Sequence, residues 1–150
     1  MDFAYPARLE RELDGHYTVT FPDLPDAITQ GEDRDDALAM AADCLAETIG
    51  ARIVDRADIP APSPPEPEQV RVVVPVHVAV KGALYVAMKE EGMSMSDLAR
   101  VLKGQHLQVR RLLDPGRASS MKRIDQALSA LGRHVCVSLD SRDRRGGTRQ

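Results

Sequence analysis

Aromatic residues and cysteine are scarce in this sequence. Only 3% of its 150 residues are Phe, Trp or Tyr, and Trp is absent, so a hydrophobic core has to be built from Leu, Val, Ala, Ile and Met. The two cysteines, Cys44 and Cys136, are far apart and match no metal-binding spacing. We expect both to be small buried residues in a reducing cytosol.

Long apolar runs are also missing. No stretch approaches the roughly 20 apolar residues that span a bilayer, and Met1 is not followed by the basic and then apolar segments of a signal peptide. We therefore expect a cytoplasmic protein with no membrane partner. Hydrophobic residues still make up 43% of the sequence, which is enough for a packed core and argues against wholesale disorder.

Charge is divided unevenly along the chain. Residues 1–69 contain 16 acidic and 5 basic side chains, a net charge of −11, whereas residues 70–150 contain 7 acidic and 15 basic side chains, a net charge of +8. The overall value of −3 conceals this division. The asymmetry predicts two modules, an acidic one suited to a basic protein and a basic one suited to a polyanion.

The acidic half predicts a sheet covered by one helix. Alternating apolar and polar residues indicate strands at residues 1–10, 17–21 and 27–30, and Asp14-Gly15 is a hairpin signal. Apolar residues at helical spacing indicate a helix over about residues 34–54, with Asp33 as its N-cap. Five prolines in residues 60–68 indicate a stiff connector or a long loop.

The valine-rich run Val70–Val80 predicts the last strand of this module, with Pro75 marking an edge or an interruption. After it the pattern becomes helical. Helices are expected at residues 83–91, 96–102, 105–113 and 120–131, with Ser96 as one N-cap, followed by a final strand over His134–Leu139. The expected divisions are therefore a module over residues 1–80, a helical module over 81–139 and a disordered tail over 140–150.

Two short adjacent helices in the basic half match the layout of a helix-turn-helix, whose second helix enters the major groove of DNA. Polar residues of the second helix can read base edges, and nearby cations can neutralise phosphates. The predicted DNA-binding residues are Gln105, His106, Gln108, Arg110, Arg111, Arg117, Lys122 and Arg123. Leu107 is expected to be a buried packing residue, with a contact to a thymine methyl group as the alternative. A plain helical bundle with solvated Arg and Lys is the alternative for the whole segment.

Catalysis finds little support in the sequence. Asp23, Asp26 and Asp33 suggest a metal-dependent nuclease, but a two-metal site needs carboxylates that converge on ions about 3.5–4 Å apart, and no acid on the predicted strands joins these three. The four histidines are scattered, and no glycine-rich phosphate loop is present. We expect no enzyme, no catalytic residue, no metal and no cofactor.

Two groups of motifs resemble the HicB antitoxin family. The first is the stretch Asp14–Pro25, which ends in Phe-Pro-Asp-Leu-Pro, followed by Thr29-Gln30-Gly31 and then by Asp35-Asp36-Ala37-Leu38. The second, residues 96–102 with residues 109–115 and 127–132, is similar to the helix-turn-helix tail of one HicB branch. The resemblance covers about residues 3–139. The chain departs from the family at Asp26, where Gly is usual, and at Leu102-Lys103-Gly104, where the turn glycine is displaced by one position.

The resemblance implies an α+β fold, with a partial RNase H-like β-β-β-α-β domain lacking nuclease activity, followed by a phage-repressor-like helix-turn-helix domain with a final short strand. It also implies two partners, a HicA-like ribonuclease toxin that degrades mRNA and the operator DNA of the chain's own operon. Acids that could mimic RNA phosphate, together with one loop, form the candidate toxin-binding set, which is Asp23, Leu24, Glu32, Asp33, Asp35 and Asp36.

Other interpretations stay open at this point. The acids could simply solvate a helix face. The chain could be a stand-alone transcription regulator with an acidic protein- or ligand-binding domain, or a residual RNase H-like nuclease. A homodimer or higher oligomer is expected, with the strand His134–Leu139 pairing with its symmetry mate.

Overall fold

The computed structural model describes residues 1–141, which form a four-stranded antiparallel sheet and five helices. The strands are β1 (Ala4–Arg11), β2 (Tyr17–Thr20), β3 (Ile28–Gly31) and β4 (Val70–Val73). The helices are α1 (Arg34–Val54), α2 (Val76–Glu90), α3 (Met95–Val101), α4 (His106–Leu113) and α5 (Met121–Ala130). The α+β class and the predicted β-β-β-α-β order are confirmed. Of the predicted tail at residues 140–150, all but the first two residues lie outside the described part.

The sheet has the strand order β3-β2-β1-β4. Strand β1 changes partners along its length, since Ala4–Ala7 pairs with β4 and Arg8–Arg11 pairs with β2. Pro6 lies in the Ala4–Ala7 half of β1, which pairs only with β4. Its missing N–H therefore affects only the hydrogen bonding between β1 and β4. The predicted hairpin between β1 and β2 is confirmed, and Gly15 adopts a φ of +93° that favours glycine there.

Helix α1 covers the sheet with its apolar face. Leu45 and Ile49 at the centre of that face are fully buried, which accounts for the regular apolar spacing in the sequence. Asp33 is the N-cap, as predicted, and its side chain accepts a hydrogen bond from the Asp36 N–H at 2.8 Å. The backbones of β3 and α1 approach closely, because a Cβ built on Gly31 would lie 2.3 Å from the Ala37 nitrogen.

The prediction of one strand over Val70–Val80 is wrong beyond its first four residues. Strand β4 ends at Val73, and α2 begins at Val76, seven residues earlier than the predicted helix at 83–91. Pro75 separates the two elements as the N-cap of α2, where a residue without an N–H is tolerated. A short valine-rich run fits a strand and a buried helix equally well, so periodicity alone could not distinguish the two.

Helix α2 contributes to both ends of one continuous hydrophobic core. It contacts α1 on one side and α4 and α5 on the other, and the core extends from Tyr5 to Leu131. Buried residues include Val78, Leu84 and Met88. The predicted boundary between residues 80 and 81 therefore falls inside an element, and the division into two modules stays a prediction.

Two details of the helical half correct the sequence predictions. The N-cap of α3 is Ser94 rather than Ser96, and it forms a capping box with Asp97. The final strand predicted at His134–Leu139 is absent, since this segment is irregular and pairs with no strand of residues 1–141. Within this segment Cys136 is exposed, and Cys44 in α1 is only half-buried, so the expectation that both cysteines are buried is wrong.

The turn between α3 and α4 places its left-handed residue at Lys103, which has a φ of +52°. Gly104, the residue next to it, is not in the left-handed region. The displaced glycine of the sequence thus leaves a lysine in the conformation that glycine adopts most easily, and a non-glycine residue there is strained.

We predict that Lys103→Gly stabilises the protein. The left-handed conformation costs a non-glycine residue roughly 1–2 kcal/mol, which glycine avoids. Glycine in turn loses more conformational entropy on folding, which offsets roughly 0.5–1 kcal/mol of this gain. The free energy of unfolding, measured by urea denaturation, should rise by about 0.5–1 kcal/mol. Gly104→Ala is the matched control and should be nearly neutral, because its Cβ would meet only the flexible end of Gln108, at 3.0 Å. A lower midpoint for Lys103→Gly would contradict the assigned turn geometry.

Candidate functional surfaces

Helix α4 buries one face and exposes the other. Val109, Leu112 and Leu113 are buried, and the opposite face carries polar and basic side chains. All eight predicted DNA-binding residues are exposed: Gln105 at the N-cap, His106, Gln108, Arg110 and Arg111 in α4, Arg117 in the following loop, and Lys122 and Arg123 in the first turn of α5. The fold therefore places them on consecutive elements where a large ligand can reach them.

Most cations of this surface are not neutralised by the protein. Within residues 1–141, no carboxylate lies within 4.0 Å of Arg110, Arg111, Lys122 or Arg123, whereas Arg117 pairs with Asp114 (Nε to Oδ2, 3.4 Å). Because unpaired cations sum to a positive potential over an exposed surface, this face carries a positive potential. We refer to the eight residues as the basic surface.

Leu107 corrects another expectation. It was expected to pack in the core, but its exposed fraction is 52%. Leu107 precedes Arg111 by four residues, about one helical turn, so the side chains of Leu107 and Arg111 lie on the same side of α4. An apolar side chain is thus presented within the basic surface.

Beneath the basic surface lies Lys81, which the sequence analysis did not single out. Its exposed fraction is 3%, and it is the one buried charged residue of the described chain. Its ammonium group donates hydrogen bonds to the Asp114 carbonyl (2.6 Å), the Ser119 hydroxyl (2.8 Å) and the Arg111 carbonyl (3.3 Å). Burial lowers the pKa of Lys81, although Asp114 opposes that change. In the sequence, Lys81 is a single charged residue within an apolar run, and this pattern could have indicated a buried lysine.

The acidic candidates group at the start of α1, where Glu32, Asp33, Asp35 and Asp36 are all exposed. Two of them serve the helix itself. Asp33 caps α1, and the Asp36 carboxylate accepts a hydrogen bond from the Glu32 N–H at 2.9 Å. Among the described residues, the carboxylates of Glu32 and Asp35 have no hydrogen-bond or ion-pair partner, so they are the acids of this group that are free to meet another molecule.

The loop between β2 and β3 holds the proline-rich segment against the sheet. Asp23 accepts hydrogen bonds from the Ser63 N–H (2.8 Å) and hydroxyl (2.6 Å). Tyr5 donates to the Pro60 carbonyl at 2.7 Å, and burial, together with the charge of Asp23, raises the pKa of Tyr5 to about 12. Leu24 is completely buried in the core. The loop therefore fixes the proline-rich segment through Asp23. The Leu24 side chain, which is buried in the core, is inaccessible to a partner in this conformation.

The three acids that suggested a nuclease do not converge. Asp23 binds Ser63, Asp33 caps α1, and Asp26 pairs with Arg52 at 2.7 Å, which lowers the pKa of Asp26. Across residues 1–141 no three His, Cys, Asp or Glu side chains are arranged to hold a metal ion. Over the same range, every helix is too short or too polar to cross a membrane.

Comparison with known proteins identifies the family. Residues 4–83 match a family described as HicB-like antitoxin of bacterial toxin–antitoxin system. The chain is 35% identical over 131 residues to antitoxin HicB 2 of Photorhabdus laumondii, which covers 87% of this chain and 92% of that protein. It is 31% identical over 133 residues to antitoxin HicB of Escherichia coli K12, covering 89% and 96%.

Both relatives match well beyond the 80 residues of the family region, so the similarity also extends into the helical half. The four strands, the loop between β2 and β3 and helix α1 with its acidic start all lie within residues 4–83. The chain belongs to the HicB-like antitoxin family of bacterial toxin–antitoxin systems.

Proposed function

We propose that this chain is an antitoxin that neutralises a HicA-like, mRNA-degrading ribonuclease by direct binding and represses its own operon by binding operator DNA, both in the cytoplasm. The match of residues 4–83 to an antitoxin family carries the first part of the proposal. Membership of that family favours a binding protein over an enzyme. The opposite charges of the two halves support one cationic protein partner and one polyanionic partner.

The basic surface supports the DNA-binding part. We assign α3 and α4, which are joined by a turn over residues 102–105, to a phage-repressor-like helix-turn-helix, with α4 as the recognition helix. Gln108 and Arg111 would then face base edges. Arg117, Lys122 and Arg123 would contact phosphates and supply affinity without sequence choice. Leu107, which is exposed beside them, would contact a thymine methyl group.

The sheet and α1 correspond in this proposal to the partial RNase H-like domain that binds the toxin. The acidic start of α1 would face the positive charge of a basic ribonuclease. Such electrostatic complementarity acts chiefly on the rate of encounter and on specificity. Glu32 and Asp35 are the strongest candidates because their carboxylates have no partner within residues 1–141. Asp23, Asp33 and Asp36 contribute through the shape of the surface that they hold together.

Operator binding by a helix-turn-helix usually requires a dimer that matches a palindromic site. The segment His134–Leu139 supports one, since Val137 and Leu139 are 85% and 96% exposed and alternate as in a strand. A second copy would give this segment the pairing partner that the described chain lacks.

The experiment that tests the toxin part is co-expression of the tagged chain with its neighbouring genes, followed by purification. We expect a small basic ribonuclease to co-purify and to be inactive until it is released. Glu32→Gln with Asp35→Asn should slow its association by about three- to tenfold at low salt, because rim charges act mainly on the association rate. Asp125→Asn, an exposed acid of α5, is the matched control and should leave the rate unchanged. A chain that binds DNA but retains no partner would instead be a stand-alone regulator.

For the DNA part, we predict that Arg111→Ala and Gln108→Ala each weaken binding to the DNA upstream of the operon by about ten- to hundredfold, since a good base contact contributes roughly 1–3 kcal/mol. Toxin binding should be unchanged. Fluorescence anisotropy at fixed salt measures the first quantity and calorimetry the second. Arg11→Ala, which removes an exposed cation from the end of β1, should have no effect on DNA affinity. Equal loss of DNA and toxin binding in Arg111→Ala would refute separate surfaces.

A further inference from the structure

Burial of the Lys81 ammonium group carries a large desolvation cost. Moving an ammonium group out of water costs several kcal/mol even in a relaxed protein, and an apolar residue at this position of α2 would be surrounded by the same buried neighbours without that cost. The group is tolerated because its three N–H donors meet three oxygen acceptors at 2.6, 2.8 and 3.3 Å. A buried lysine with all three donors satisfied therefore points to a geometric role rather than to a gain in stability.

All three acceptors belong to the end of α4 and the loop after it. The carbonyls of the last turn of a helix have no partners inside the helix, and a cation there also interacts favourably with the helix dipole. Lys81 reaches the carbonyl of Arg111 in that last turn and the carbonyl of Asp114 at the C-cap. Ser119 closes the network, because its hydroxyl also donates to the Arg111 carbonyl, at 3.3 Å. The backbone of Arg111, whose side chain belongs to the basic surface, is thus held from below.

The other end of this connection is rigid. The next residue of α2 is Gly82, where a built Cβ would lie 2.8 Å from the Phe3 ring and 3.3 Å from the Ile49 side chain. Helix α2 is therefore seated directly on α1 and the N-terminal strand region at this point. Lys81 joins a fixed helix to the end of α4.

We propose that Lys81 is a positioning residue for DNA recognition, whose buried ammonium group fixes the carboxyl end of α4 on α2 and so sets the direction in which Arg110 and Arg111 face DNA. The proposal rests on the DNA-binding function proposed above. Removing the ammonium group leaves the core filled but frees the end of α4, so that base contacts lose their alignment while the rest of the protein stays folded.

The test compares Lys81→Met with Lys89→Met in the full chain. Methionine keeps the length and volume of the side chain, and Lys89 is an exposed lysine of the same helix that pairs with Asp58. The probe is duplex DNA selected by the wild-type chain from a random-sequence pool. Lys81→Met should lose at least about tenfold in affinity for the selected sequence, as expected for one misaligned base contact, and little affinity for unrelated DNA. Lys89→Met should bind both as the wild type does.

Ser119→Ala tests the same network from the other side and serves as the deciding variant if Lys81→Met does not fold. It should show a smaller loss of the same kind, and adding it to Lys81→Met should cause no further loss, because both changes remove one network. Wild-type discrimination between selected and unrelated DNA in both variants would overturn the positioning role. If the wild-type chain selects no sequence at all, the DNA-binding function itself fails, before any variant is measured.

Discussion

The burial of helix α2 is the constraint on which the rest of the structure depends. Apolar side chains lie on almost every side of this helix, including Val78, Val80, Leu84 and Met88, so water has to be excluded from more than one direction. Full burial of such side chains contributes roughly 1.5–3 kcal/mol each. The sheet with α1 covers one side and α4 with α5 covers another. Neither the acidic half nor the basic half can therefore complete its core without the helix that joins them.

This shared core changes how the opposite charges of the two halves are to be understood. Charge asymmetry by itself suggests two bodies connected by a linker, and the proline-rich residues 60–68 looked like that linker. The structure uses those residues differently, since Tyr5 and Asp23 hold them against the sheet through Pro60 and Ser63. The two surfaces thus differ in charge, but they are carried by elements that pack on one another. Helix α2 is the element that contacts both α1 and the pair α4 and α5.

Sequence patterns predicted the elements in which one face is buried and one is solvated. The alternation of β2, the apolar spacing of α1 and its N-cap Asp33 are local signals, and the fold follows them. The patterns failed where burial is complete or absent. Val78 and Val80 are buried in α2, and a short valine-rich run fits a strand and a buried helix equally well. The alternation of His134–Leu139 shows only that this segment could pair with a strand. The exposure of Leu107 and the burial of Lys81 were missed for the same reason, since both break the local rule and depend on tertiary neighbours.

The candidate sites show the same division between local and distant information. The exposure of the basic surface was predictable, because polar residues between the buried Val109 and Leu112 must face outward on a helix. The acids were harder to interpret, since charge identified five acidic candidates but could not show which of them already form hydrogen bonds within the chain. Asp23 meets a serine 40 residues away, and Asp33 and Asp36 hold the start of α1. A carboxylate that satisfies its own backbone has less to offer a partner, because binding would have to replace those hydrogen bonds. The carboxylates of Glu32 and Asp35 form no such hydrogen bonds within residues 1–141. This difference, rather than charge, makes them the first candidates for contacts to a cationic protein.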